Sequence, residues 1–258
     1  MVINPLYSVA GVLVGLIVGL TGVGGGSLMT PLLVLAFGFH PATAVGTDLL
    51  YAAATKSVGT VVHGVRNTVD WRVVRRLAFG SVPAATLALI ALSYAAGRAH
   101  DPSATISTLL GITLILSAVA TIFRARLVTR MAPWFSALGE RRLAALTVFL
   151  GVVLGVIVSL TSVGAGALGM TALLILYPGL PINRLVGSDI AHAVPLTLLA
   201  GIGHWIIGSV DGALLLSLLV GSIPGIIVGS LIATRVSDRV LTPILAVVLA
   251  IVGTRLLF

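Results

Sequence analysis

Gly15-Leu-Ile-Val-Gly-Leu-Thr21-Gly-Val-Gly24-Gly-Gly26 returns as Gly155-Val-Ile-Val-Ser-Leu-Thr161-Ser-Val-Gly164-Ala-Gly166, and the reading of this pair decides the fold. Outward from the first copy stand Pro41, Gly46-Thr47-Asp48, His63, Asp70 and Gly80-Ser-Val-Pro83. Outward from the second stand Pro181, Gly187-Ser188-Asp189, His204, Asp211 and Gly221-Ser-Ile-Pro224, in the same order, with one residue gained around Arg184 and Leu185. A pattern kept over that length is a duplication. In an apolar chain, two halves interrupted by glycine at corresponding positions point to a transporter's binding site.

Composition names the solvent. With 58% hydrophobic and 9% charged residues and a mean hydropathy of +1.19, the 258-residue chain is far too apolar for an ordinary water-soluble domain. Successive apolar runs are long enough to cross about 30 Å of hydrocarbon as helices, and too long and too uniform for barrel strands. The net charge of +8 comes mainly from arginines at the ends of these runs. They read as topology signals, and no nucleic-acid partner is expected. No cysteine is present, so there is no disulfide or thiolate metal site. The N-terminal Met1-Val-Ile-Asn-Pro5 has no basic n-region, so the first apolar run is expected to remain in the mature protein.

The runs predict an all-α polytopic protein of two repeats, 1–123 and 143–258, joined by a basic cytoplasmic linker at 124–142. Each repeat opens with a glycine-broken pair of helices, about 6–20 with 28–37 and about 143–160 with a piece ending at Tyr177. Pro31 is read as part of a helix's first turn. Three spans follow in each repeat, at about 46–64, 77–96 and 104–123, then 188–207, 213–234 and 240–257. If each broken pair crosses the membrane once, the repeats are parallel and the loop arginines divide about ten to four. If each folds back as a hairpin, the repeats are inverted. Arg66, Arg72, Arg75, Arg76, Arg124, Arg126, Arg130, Arg141, Arg142, Arg184, Arg235 and Arg239 then share one side, opposite Arg98 and Arg255. The second division is sharper, so the arginine-rich loops are expected in the cytoplasm and both termini outside. The hairpin tips should meet near mid-membrane, where irregular backbone is tolerated only inside protein or beside a watery cavity.

Both breaks offer backbone N–H groups at a helix start, a ready anion site. The substrate-binding set is Thr21, Gly22, Gly24, Gly25, Gly26 and Ser27 with Thr161, Ser162, Gly164, Ala165 and Gly166. Close packing of helices through glycine is the competing explanation. Asp48, Lys56 and His63 recur at near-whole helical turns on one face, answered in the other half by Asp189, His192 and His204. Ionisable groups at membrane depth usually face a pathway or a partner, so these six form a pathway or proton-coupling set. Helix capping by Asp48 and Asp189, and carbonyl contacts of His63 and His204 at helix ends, are the structural alternatives. Lys56 is the chain's single lysine, and Thr197 stands at its repeat position. Asp70 and Asp211 read as loop residues. No catalytic, metal or cofactor motif is present, and no enzyme activity is expected.

The whole pattern resembles the TauE/SafE sulfite exporter family. The likeness rests on Gly19-Leu-Thr-Gly-Val-Gly-Gly-Gly26, Pro31, Pro41-Ala-Thr-Ala-Val-Gly-Thr47 and the stretch from His63 to Asp70, with degenerate echoes in the second half. The resemblance implies movement of a small sulfur-containing anion, sulfite or an organosulfonate, across the cytoplasmic membrane. With the residues above, the expectation is a secondary transporter with alternating access, with proton coupling as an option. A passive anion channel and a non-transporting membrane scaffold are the alternatives. The oligomeric state is open, with a homodimer among the options.

Overall fold

The computed structural model describes residues 3–21, 26–65, 67–97, 103–232 and 238–257. Among them the structure is entirely helical. The first half contains α1 (Pro5–Thr21), α2 (Gly26–Leu35), α3 (Pro41–Val65), α4 (Trp71–Gly97) and α5 (Ser103–Ser136). The second contains α6 (Glu140–Thr161), a π-helical turn (Ala165–Gly169), α7 (Met170–Leu176), α8 (Ile182–Ile206), α9 (Gly212–Ile232) and α10 (Asp238–Leu257). Among the described residues five stretches are long and apolar enough to cross a membrane: Trp71–Ala95, Ala104–Ser136, Glu140–Thr161, Ile182–Ile206 and Gly212–Gly229. The protein is a multi-pass membrane protein.

The sequence dictates several helix ends directly. Asp70, read as a loop residue, accepts the backbone N–H of Arg72 at 3.0 Å and so caps α4. Asp211 caps α9 through the N–H groups of Ala213 and Leu214, both at 2.9 Å. Proline opens α1 and α3 and precedes α8, where its fixed φ suits a helix start. Other expectations need correction. Pro31 lies past the first turn of α2, inside the helix. Asp48 and Asp189 stand two turns inside α3 and α8, because those helices begin at Pro41 and Ile182, so neither caps a helix. The stretch 124–142 is largely helical, since α5 runs on to Ser136 and α6 begins at Glu140.

Both broken segments fold back. Tyr7, near the start of α1, meets Phe37 beyond the end of α2 edge-on at 5.2 Å between ring centroids. In the other half, the Thr147 hydroxyl of α6 lies 2.7 Å from the Tyr177 hydroxyl just after α7. A segment that crossed the membrane once would separate these ends by its full length; here they touch.

The halves interlock through contacts that exchange between them. α1 packs along α9 as α6 packs along α4, while α3 pairs with α8 and α5 with α10. Gly15 lies against the backbone of Ser222, and Gly155 against that of Ser81. The N–H of Asp70 donates to Ser188 Oγ at 2.8 Å, and that of Asp211 to Thr47 Oγ1 at 3.1 Å. Such close approach needs residues without side chains, the usual device of helix pairs in lipid. A Cβ on Gly155 would stand 2.5 Å from the Ser81 carbonyl oxygen. Gly155→Val is therefore expected to cost about 1–3 kcal/mol through overpacking. The check is the midpoint of thermal unfolding in detergent, with Gly64→Ala, which faces open space, as the silent comparison.

Candidate functional site

The polar core lies where α3 and α8 cross. α3 is long enough to span but is less apolar than the five spanning stretches, because it carries Asp48, Lys56 and His63. It is sheltered by its neighbours, and Asp48 and Tyr51 are fully buried. α8 brings Asp189, His192, Thr197 and His204, all buried.

The second break is fixed by backbone conformation. α6 ends when Ser162 takes the left-handed conformation at φ 60°, and Gly164 follows at φ 119°. The latter is open to glycine and strained for any residue with a Cβ. The Leu168 and Gly169 N–H groups both donate to the Gly164 carbonyl, which sets up the π-helical turn. Thr161 turns its hydroxyl back onto its own helix, donating to the Ile157 carbonyl at 2.7 Å. Thr161, Ser162, Gly164 and Ala165 are buried, and Gly166 is half-buried. In the first break, Gly22, Gly24 and Gly25 lie outside the described residues; Thr21, Gly26 and Ser27 are described as parts of α1 and α2 without their side chains.

Two carboxylates bracket the second break. Asp48 accepts the Thr30 hydroxyl from α2 at 2.5 Å and stands beside the Ser162 hydroxyl. Asp189 lies against Gly169, where an added Cβ would come within 2.8 Å of its Oδ1. Lys56, 9% exposed, is within electrostatic reach of both, and Arg124 is within reach of Asp189. His192 Nε2 is 2.8 Å from Ser81 Oγ on α4. At the exchanged position, Tyr51 stands beside Ser222 on α9. The two halves thus keep the geometry and change the chemistry, histidine for tyrosine and threonine for lysine.

Asp48, Lys56, Asp189 and His192 come together with the second break. His63 does not join them: its Nδ1 lies 2.8 Å from the Thr68 hydroxyl in the turn after α3. His204 Nε2 bonds the Ser159 carbonyl at 2.9 Å, tying α8 to the last turns of α6. Thr30, Ser81 and Arg124 are site neighbours that periodicity did not select. Thr30 and Ser81 are short hydroxyls on other helices, and Arg124 was assigned to the linker.

The family model for the sulfite exporter TauE/SafE matches residues 7–256. The chain belongs to the TauE/SafE family. It is 41% identical over 211 residues to the probable membrane transporter protein YjnA of Bacillus subtilis (strain 168), covering 81% of this chain and 82% of that protein. It also matches the probable membrane transporter protein YunE of the same organism, 41% identical over 58 residues, 22% of this chain and 21% of that one. No solved structure matches. This TauE/SafE chain therefore joins a membrane transporter fold to a buried set of charges around a broken helix. Such a set has the chemistry to hold a small anion, with backbone N–H groups and a lysine as donors and two carboxylates as counter-charges.

Proposed function

We propose that this TauE/SafE protein is a secondary transporter that moves a small sulfur-containing anion, sulfite or an organosulfonate, across the cytoplasmic membrane by alternating access with proton coupling. The observation that carries this reading is the bracketing of the second break by Asp48 and Asp189, with Lys56 in reach of both. The anion is held by N–H groups of 165–167 at the start of the π-helical turn, by Ser162 and by the Lys56 ammonium. A site built only from backbone dipoles would bind anions without reference to protons. A site whose lysine is already engaged by carboxylates gains from neutralising one of them when the anion enters.

The repeats are read as inverted, with α1 and α6 entering from opposite faces. In support, Glu140 at the start of α6 pairs with Arg76 near the start of α4, and Tyr177 hydrogen-bonds there too. Asn4, just before α1, donates instead to Ser217 near the start of α9. The first group of contacts lies among arginines; the second does not. By the positive-inside rule the α6 start is cytoplasmic and the α1 start external. Two hairpins related in this way give each face of the membrane one movable element, as alternating access requires.

The test is uptake of labelled sulfite, sulfoacetate and acetate into proteoliposomes under an imposed proton gradient. Saturable flux of a sulfur anion that rises with the gradient supports the reading. Conductance that does not saturate and ignores the gradient identifies a channel, and no flux of any anion leaves the scaffold alternative.

A further inference from the structure

The C-terminal part of α5 carries a feature that transport does not use. At 34 residues the helix is about 51 Å long, well beyond the roughly 30 Å of hydrocarbon. Along its surplus run Phe123, Arg126, Leu127, Arg130, Met131, Trp134 and Phe135, spaced by threes and fours and therefore forming one stripe. The stripe lines a groove of about 450 Å³, within the range of small-molecule sites. Trp134 is 80% exposed, and Phe123 and Met131 are exposed as well. Arg126 lies over the Phe123 ring, 5.8 Å from its centroid, and Arg130 follows one turn later. Between Asp101 and Glu140 the sequence has no acidic residue. Arg124, by contrast, lies within reach of buried Asp189, so the helix presents its arginines to two different environments.

We infer that this groove binds the headgroup of an anionic phospholipid, with Arg126 and Arg130 on the phosphate and the aromatic and methionine side chains against the glycerol and upper acyl chains. The argument is one of charge and place. Guanidinium groups match phosphate oxygens in a fork geometry. Tryptophan and phenylalanine beside them suit the boundary between headgroups and hydrocarbon. An acidic protein or nucleic acid would leave exposed Phe123, Met131 and Trp134 facing a polar partner. A phospholipid covers both kinds of surface, and the stripe continues a membrane-spanning helix.

The test uses delipidated full-length protein in mild detergent, titrated with phosphatidylglycerol or with phosphatidylcholine of the same acyl chains. Bound lipid is counted by native mass spectrometry. Phosphatidylglycerol is expected to bind preferentially, and Arg126→Gln with Arg130→Gln to weaken it about 30-fold, the size expected for two cations beside an anionic headgroup. Trp134→Ala should weaken both lipids. Arg141→Gln with Arg142→Gln, equally basic but off the groove, should leave the preference intact. Equal binding of the two lipids, or an equal loss from the Arg141 and Arg142 pair, overturns the proposal. So does displacement of phosphatidylglycerol by inorganic phosphate alone at comparable concentration. The thermal unfolding midpoint, unchanged in all variants, separates lost binding from lost folding.

Discussion

Lys56→Met is expected to abolish measurable anion flux and to lower stability by about 3–5 kcal/mol, the usual cost of leaving a buried charge without its partner. The side chain is 9% exposed and lies within electrostatic reach of two carboxylates, Asp48 and Asp189. Methionine conserves most of the volume, so the loss is electrostatic and not steric. The two effects are separated by adding Asp189→Asn. That second change removes one of the two carboxylates left without the lysine, so the double variant should regain part of the unfolding midpoint. It should not regain flux, because the cation that attracts the substrate is still missing. A coupling of 0.5–3 kcal/mol between the two substitutions is the range expected of residues that share a buried network. Stability and flux are measured on the same preparation, by thermal unfolding in detergent and by uptake into proteoliposomes. A Lys56→Met protein with wild-type unfolding and wild-type flux would remove Lys56 from the site and with it the charge argument.

Much of this arrangement is legible in sequence because duplication acts as an internal check. The hairpins followed from lengths and arginines: a ten-residue piece reaches only half-way across the membrane, and folding back gives the sharper charge division. The contacts of Tyr7 with Phe37 and of Thr147 with Tyr177 bring the two ends of each broken segment together. Helical spacing puts Asp48 and Lys56 on one face of α3, where they lie within electrostatic reach of each other. What spacing could not provide was position across helices. His63 shares the sequence face of Lys56, yet it reaches the end of α3, where Thr68 engages it. Capping was the structural alternative for Asp48 and Asp189, because small polar residues precede them. Instead Thr47 and Ser188 receive the backbone N–H groups of Asp211 and Asp70 from the other half, and the aspartates face the core. Arg124 was hidden for a related reason. An arginine at the end of an apolar run reads as a topology signal, and only the continuation of α5 to Ser136 brings it near Asp189.

Asp189→Asn is expected to uncouple the transporter from protons while sparing its ability to exchange anions, and Asp48→Asn is not. The two carboxylates occupy equivalent places in the repeats but differ in their hydrogen bonds. Asp48 Oδ2 accepts the Thr30 hydroxyl at 2.5 Å, with Ser162 beside it. The Oδ1 atoms of both aspartates have no hydrogen-bond partner among the described residues, and Gly169, which Asp189 abuts, has no side chain to offer. Compensation at Asp189 comes from Lys56 and Arg124 by charge alone. An anion that enters and competes for Lys56 takes that compensation away, and the carboxylate regains neutrality by binding a proton. Anion and proton then cross together. Asparagine imitates the protonated state permanently, so the site still accepts the anion but no longer responds to a proton gradient. With one proton per anion, each pH unit drives about tenfold accumulation in the native protein. In Asp189→Asn the ratio should fall to about one while labelled anion still equilibrates by counterflow. Asp48→Asn should lower the unfolding midpoint, through weakening of its hydrogen bond with Thr30, and keep the pH-driven accumulation of whatever protein remains folded. If Asp189→Asn still accumulates anion against its gradient, Asp189 is not the proton carrier. If Asp48→Asn alone loses accumulation, the roles of the two repeats are reversed, with the hydroxyl-bonded carboxylate carrying the proton.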